Sequence, residues 1–309
     1  MAHHRFAPST LHNTIGSHAP ALSIASGDTV TAATADAHGF DHRGHQIGQR
    51  PNPMTGPIFV EGAEPGDALR VTIREIRMTR PMGWTYDALS ANVVDPNAVS
   101  RFAARRRTDW VIDTATGRAC LAEPPASLGN WSVAVEPMIG CFGVAPDLGQ
   151  AISTATSGRH GGNMDYRGFC AGTEVMFPVS VPGALFFLGD VHAQQCDGEI
   201  VGTGIETAAE VTFTAHVVKG KRIGWPRGMN AREIFTLGNA RPLDQALQHA
   251  TTEMIDWLIA DYGLDEVSAS HVMGQCVRYD VANVFNPAYS VACRIGRDAL
   301  AGIAGKAGA

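Results

Sequence analysis

No run in this sequence reaches the ~18 apolar residues of a membrane span, and the first ten residues, with His3, His4 and Arg5, hold no apolar signal core. The expectation is a cytoplasmic protein that neither crosses a membrane nor is secreted. Paired cysteines are also missing. The six cysteines, at 120, 141, 170, 196, 276 and 293, form no C-x-x-C pair. That excludes a finger-type structural zinc and reads as reduced core thiols. Charged residues make up only 17% of the chain, with a net charge of −6. The one basic block, Arg105-Arg106-Arg107, is too short for a nucleic-acid surface and reads as a solvated turn. Sparse charge suggests that some surface is covered, so a homodimer or larger homo-oligomer is expected. Long helices are absent until late, which excludes a parallel α/β enzyme with strands and helices alternating from the start.

What is present is turn-and-strand grammar. Glycine (34) and proline (17) punctuate a chain that is 45% hydrophobic. Glu64-Pro65-Gly66-Asp67 fits a type II turn. After it Leu69, Val71 and Ile73 alternate with Arg70, Thr72 and Arg74, the pattern of a half-buried strand. Val211, Phe213, Ala215 and Val217 repeat that pattern, with His216 on the polar face. Helices come late. Pro242 starts and Gly263 ends one, with 243, 247, 250, 254, 257 and 258 as its apolar stripe. Asp265 caps a second, to about Arg278, with Val267, Val272, Met273 and Cys276 inward. The reading is mainly β, a β-sandwich core with an α+β portion and two C-terminal helices. Residues 78–133 look like an irregular insertion, either a lid over a small substrate or a subunit contact. The small-residue tail from Gly302 to Ala309 is expected to fray.

The chemistry concentrates between Gly158 and Glu206, where two histidines and six carboxylates are bracketed by glycines. In a strand, alternate side chains share a face, so Asp190 and His192 point the same way. An imidazole beside a carboxylate suits a divalent ion such as zinc. Asp36 and His38 repeat the spacing at the end of another strand. Two such pairs could converge on one ion, although His38 could equally begin an exposed loop. Glu136 heads an apolar, glycine-spaced segment, where desolvation would fit it to act as a base. Cys196 is near His192 in sequence but carries no mark of an activated nucleophile.

Four blocks in order, NPMTGPIFVEGAEPGDALRV (52–71), PMIGCFGVAP (137–146), GRHGGNMD (158–165) and VPGALFFLGDVHAQQCDGEIVGTGIE (181–206), resemble the acetamidase/formamidase family of metal-dependent amidohydrolases. The likeness runs from about residue 10 to 295. It implies a single unit over 1–309, with a jelly-roll-like sandwich core at about 10–77 and 134–218. A smaller α/β element at about 219–300 and the 78–133 insertion complete it. It implies cleavage of the C–N bond of short linear amides by a metal-activated water. Joined to the local chemistry, it predicts Asp36, His160, Asp190 and His192 as ligands to a divalent metal, zinc above others. Glu136 or Glu206 would be the catalytic base, and backbone N–H groups near 161–162 and 202–204 would face the oxyanion. Cys141-Phe142, if it lines the pocket, would alter substrate size. The glycine/serine-rich nucleophile signature of serine amidases is absent. Two alternatives stay open: a lactam hydrolase on the same site, and a non-catalytic β-sandwich module stapled by its metal.

Overall fold

Alternation decides which side chains enter the core. In the strand Ala68–Met78, Leu69, Val71 and Ile73 are buried and Arg74 is exposed. Its antiparallel neighbour Ala209–Val218 sets Phe213 opposite Ile73 and Ala215 opposite Val71. Period-2 patterning thus places both strands with one face inward. The computed structural model describes residues 1–102 and 104–303; the end of the tail expected to fray, from 304 on, lies outside the described residues.

The fold is mainly β, two large open sheets with a few helices. The first sheet has nine strands. From edge to edge they are His3–Phe6, Thr29–Ala33, Ala209–Val218, Ala68–Met78, Glu174–Pro178, Arg227–Met229, Glu233–Ala240, Tyr289–Gly296 and Arg278–Asn283. The second has eleven. At its centre Phe186–His192 lies antiparallel to Met138–Val144, to Thr55–Val60 and to Glu206–Thr207. Side chains of both sheets share one apolar core, in which Phe142 meets Phe169 and Phe177 edge-on at 4.8 and 5.2 Å between ring centres.

The segment 78–133 is more regular than its composition suggests. Met82–Tyr86, Arg107–Asp113 and Arg118–Leu121 form an antiparallel meander that joins the second sheet at Glu206–Thr207. Trp84, Trp110 and Ile112 are buried by it.

The helices Leu243–Tyr262 and Glu266–Cys276 pack on the first sheet. Pro242 and Gly263 bound the first helix, and the Asp265 carboxylate accepts the Ser268 N–H at 2.7 Å to cap the second. Ala250, Met254, Trp257 and Leu258 are buried as expected, while Leu247 is exposed. Gly238 lets the first helix lie close, because a Cβ there would run into the Ala246 carbonyl. Val267, expected inward, is 67% exposed; Ala269 and Met273 carry the buried stripe instead. Among the described residues no helix is long and apolar enough to cross a membrane.

Candidate active site

The strand Phe186–His192 is buried along its whole length and ends in the candidate site. Asp190 breaks its regularity with a left-handed φ of +53°. Opposite it stands Gly140, where a Cβ would come within 2.5 Å of Asp165 Oδ1 and 2.9 Å of Asp190 Oδ2. Only glycine lets the two carboxylates approach the strand so closely. Asp165 and Glu199 also take left-handed backbone, at φ +44° and +45°. Three acidic residues in a conformation that costs free energy mark a site over-determined by its surroundings.

His192 is the centre. Its Nε2 lies 3.4 Å from Asp190 Oδ1 and 3.1 Å from Glu206 Oε1. Its Nδ1 lies 2.8 Å from Gln195 Oε1. Gln195 Nε2 donates to the carbonyls of Asp165 (2.6 Å) and Ala282 (3.3 Å), which fixes the amide orientation. Gln195 Oε1 can only accept, so Nδ1 must carry a proton. In the neutral ring the Nε2 lone pair then points at two carboxylates. Burial alone would push His192 down, yet the Glu206 and Asp190 charges drive it well above its ordinary value. The arrangement demands positive charge beside Nε2, as a proton or as a cation.

Two triads of possible ligand atoms share this imidazole, Asp190–His192–Glu206 and Asp165–His192–Glu199, each within 4.8 Å. All five residues are buried. Asp190 Oδ1, His192 Nε2, Glu206 Oε2, Asp165 Oδ1 and Glu199 Oε2 have no hydrogen-bond partner among the described residues. Orphaned polar atoms are rare in a protein interior, and five converging here require an account. Burial, with the Asp190 charge beside it, raises Asp165 to about 7. Burial raises Glu199 and Glu206 well above the usual carboxylate range, with Asp165 adding to the effect on Glu199.

The remaining oxygens are held. Asn52 Nδ2 donates to Asp190 Oδ2 at 2.9 Å, Asn286 Nδ2 to Asp165 Oδ2 at 2.5 Å, and the Gly204 N–H to Glu206 Oε1 at 3.1 Å. Above the cluster opens a cleft of about 240 Å³, whose floor includes Asp190, Glu199 and Glu206. His38, Trp84, Tyr86, Arg50 and Arg105 form part of its wall. His38 packs on Trp84 at 4.0 Å between ring centres. Burial, then the charge of Arg50, lowers His38 to about 4, so its ring is neutral at physiological pH.

The structure thus brings together Asp190, His192 and Glu206 and sets the other predicted residues elsewhere. Asp36 is fully buried, but Arg80, Trp84 Nε1 (3.0 Å) and the His38 and Phe40 N–H groups (3.0 Å each) occupy its oxygens. It shapes the loop that carries His38 rather than joining the cluster. His160 is buried in the Gly158–Gly162 turn with Nε2 unpartnered, outside the cleft lining, and burial lowers it to about 4. Glu136 is exposed and lines a different cavity with Arg167 and Glu233. Cys141 and Phe142 lie in the core, not the pocket, and burial raises the Cys141 thiol well above its ordinary value. Cys196 is exposed. The Gly202 and Gly204 N–H groups are taken by the Glu199 carbonyl (2.7 Å) and Glu206, so neither is free for an oxyanion.

Four residues escaped the sequence reading: Asp165, Glu199, Gln195 and Asn52. The first two lie inside the quoted carboxylate-rich stretch, and Asp197-Gly198-Glu199 carries a glycine turn signal. Nothing local marks Asn52 or Gln195. Arg105, read as part of a solvated turn, is half-buried. Its guanidinium lies over the Tyr86 ring at 4.0 Å and the Phe285 ring at 4.5 Å.

Comparison with known proteins places this geometry. The model of the Acetamidase/Formamidase family matches residues 148–277, which span the candidate site from Asp165 to Glu206. The chain is 29% identical over 240 residues to the acetamidase of Mycolicibacterium smegmatis, covering 62% of this chain and 59% of that protein. It spans 51–59% of the length of the curated relatives it matches. Among solved structures it resembles the acetamidase of Yersinia enterocolitica, with a TM-score of 0.84 at 30% identity over 96% of this chain and 93% of that one. A predicted acetamidase/formamidase of Thermoanaerobacter tengcongensis gives a TM-score of 0.85 at 28% identity over 98% of both chains. The chain belongs to the acetamidase/formamidase family.

Proposed function

We propose that this protein hydrolyses the C–N bond of a small amide to a carboxylate and ammonia. The observation that carries the reading is the set of five orphaned, buried polar atoms beneath a small cleft. Family membership and the relatives named acetamidase and formamidase support it. A cleft of about 240 Å³ suits a substrate of a few heavy atoms, given that one water takes ~30 Å³ of liquid volume.

The donor set fits a divalent ion. Asp190 Oδ1, His192 Nε2 and Glu206 Oε2 would hold it, one imidazole and two carboxylates in the proportions that suit zinc. Gln195 orients the imidazole for this through Nδ1. Such an ion, when bound, polarises a carbonyl and acidifies water.

The rest of the work falls to the chain. Glu199 lines the cleft with Asp165 beside it; a cation held at His192 would favour its charged form, in which it can take a proton from the attacking water. As the water oxygen bonds to the carbonyl carbon and the C–N bond breaks, Glu199 returns that proton to the departing nitrogen, which leaves as ammonia. Asn286 fixes Asp165, which can hold a shared proton while Glu199 cycles. Trp84, His38 and Tyr86 wall the cleft and restrict water. A buried carboxylate that lines the cleft outside the three ligand residues favours an enzyme over a metal-stapled binding module.

The test pairs metal analysis with ammonia release from a panel of small amides and lactams. Glu199→Gln should keep bound metal while losing ~10²–10⁴ in kcat. Asp190→Asn should lose metal and rate together. Full activity in both variants would remove the cluster from the chemistry. We also propose a homo-oligomer, supported by Met82, Val111 and Trp131, which leave apolar surface exposed on the 78–133 segment. Light scattering returning only 32.7 kDa across a wide concentration range would exclude it.

A further inference from the structure

We infer that the site takes amides bearing a carboxylate, the monoamides of short dicarboxylic acids, and that Arg105 is the residue that recognises the acid. This rests on the amide-hydrolase reading and names the substrate class of that same cleft. Nothing in a neutral acetamide or formamide calls for a guanidinium in the wall of a cleft this small. This cleft has two, Arg50 and Arg105.

Arg105 is built in rather than passing by. Tyr86 and Phe285 flank its guanidinium, and its Nη2 donates to the Val201 carbonyl at 2.6 Å. That leaves most of a planar fork of donors without a protein acceptor. Nε is buried with no hydrogen-bond partner, and Arg105 makes no ion pair with any described residue. Its neighbours in the same run differ: Arg106 pairs with Asp87 at 3.1 Å and Arg107 with Asp109 at 3.4 Å. A half-buried, aromatic-clamped arginine with free donors matches the geometry for bidentate capture of a carboxylate. Arg50 is exposed at the mouth and makes no ion pair or side-chain hydrogen bond with the described residues, so it adds an attractive charge on the way in.

The spacing suits a short acid. Val201, which anchors the guanidinium, is two residues from Glu199 on the cleft floor. Arg105 and Glu199 line the same cleft of about 240 Å³, so one small molecule can reach both. Anionic substrate is also consistent with the floor. Glu199 and Asp165, the carboxylates that the ion would leave free, disfavour a carboxylate laid against them, which favours the amide end down and the acid end at Arg105.

The experiment compares the monoamide of succinic acid with butyramide, similar in length and differing in charge. The wild-type protein should favour the acid amide in kcat/KM by at least ~10-fold, the worth of a charge-assisted bidentate contact. In Arg105→Gln the ratio of the two kcat/KM values should fall by ~10- to 100-fold, chiefly through KM of the acid amide. Arg105→Lys should recover part of the ratio, because the charge remains and the fork is lost. A wild-type ratio at or below one, or a ratio unmoved in both variants, would overturn the inference. Binding separates this outcome from failure of the amidase reading. Succinate should raise the melting temperature of the wild-type protein and not that of Arg105→Gln. That result with no amide turned over would leave the acid pocket standing and remove the reaction. Butyramide turnover with no succinate effect would do the reverse. If Arg105→Gln fails to fold, Arg105→Lys and Arg50→Gln carry the same comparison, each lowering the ratio.

Discussion

Two places in this molecule bury charge, and they do so in opposite ways. Beneath the first long helix, Arg227 and Glu253 are each 2% exposed. Arg227 Nε donates to Glu253 Oε1 at 2.5 Å, and the Gly224 and Trp225 N–H groups donate to Oε2 at 3.0 and 3.1 Å. Around His192, five groups equally buried keep unpartnered atoms, and several strain the backbone to do so. The first arrangement pairs opposite charges within the fold and leaves Arg227 Nη1 as its one buried atom without a hydrogen-bond partner among the described residues. The second gathers four carboxyl groups around one imidazole, with orphaned atoms and left-handed backbone, which costs stability and prepares a site for something from outside. Burial alone therefore does not identify function; several unsatisfied buried groups converging beneath one cleft do.

The largest effect should come from breaking the paired charges. Arg227→Met would leave Glu253 buried without its cation, costing ~3–5 kcal/mol. The urea midpoint should drop steeply, and the drop should be the same with or without a metal chelator, because this pair lies outside the cleft. A loss below ~1 kcal/mol, or one that chelator changes, would mean that the two regions are not independent.

The same contrast explains what was legible in the sequence. Local signals worked where the physics is local. Pro242, Gly263 and Asp265 bound the helices as read, and the alternation of Leu69–Ile73 and Val211–Val217 found the inner face. The pairs Asp36-x-His38 and Asp190-x-His192 are indistinguishable by spacing. What separates them is Arg80 and Trp84, which fold back on Asp36 from more than forty residues away. Glu136 was read from its apolar neighbours, but it precedes the buried strand Met138–Val144 and stays exposed. Glu199 was passed over because its burial depends on distant partners in space. Val267 fitted the helical stripe and faces solvent, since helix 266–276 buries mainly Ala269 and Met273.

A smaller effect should follow from loosening the support of the unsatisfied cluster. Gln195→Leu removes the acceptor for His192 Nδ1–H and frees the ring to change tautomer. Outer partners of a ligating histidine are typically worth 10–100-fold in metal affinity, about 1.4–2.7 kcal/mol. Competition against a chelator of known strength would read this directly. Gln195→Glu keeps an acceptor at Nδ1 and should recover part of the affinity. Equal losses in both would assign Gln195 to packing alone, through its bonds to Asp165 and Ala282.

The smallest effect is the sharpest, because its sign is unusual. Most substitutions of a buried polar residue destabilise. Asp190→Asn should instead stabilise the metal-stripped protein at alkaline pH, where the His192 ring is neutral despite its raised value. Asp190 Oδ2 accepts from Asn52, and Oδ1 faces the His192 Nε2 lone pair at 3.4 Å. An asparagine in the same rotamer can put its oxygen at the Asn52 contact and its amide nitrogen toward Nε2. An orphaned clash of acceptors then becomes a donor–acceptor pair. Asparagine also tolerates the φ of +53° found here. One negative charge leaves a cluster that holds several. A single satisfied hydrogen bond is worth ~0.5–1.5 kcal/mol net, so a gain of about 1 kcal/mol is expected in urea titrations run with chelator at alkaline pH, and a loss where the ring is protonated and Asp190 is its charge partner. With a divalent ion added the order should reverse, since the wild-type protein gains binding free energy that the variant cannot. If Asp190→Asn is less stable than wild type in chelator at alkaline pH, the cluster is already compensated in the metal-free chain, and the contrast with Arg227–Glu253 fails.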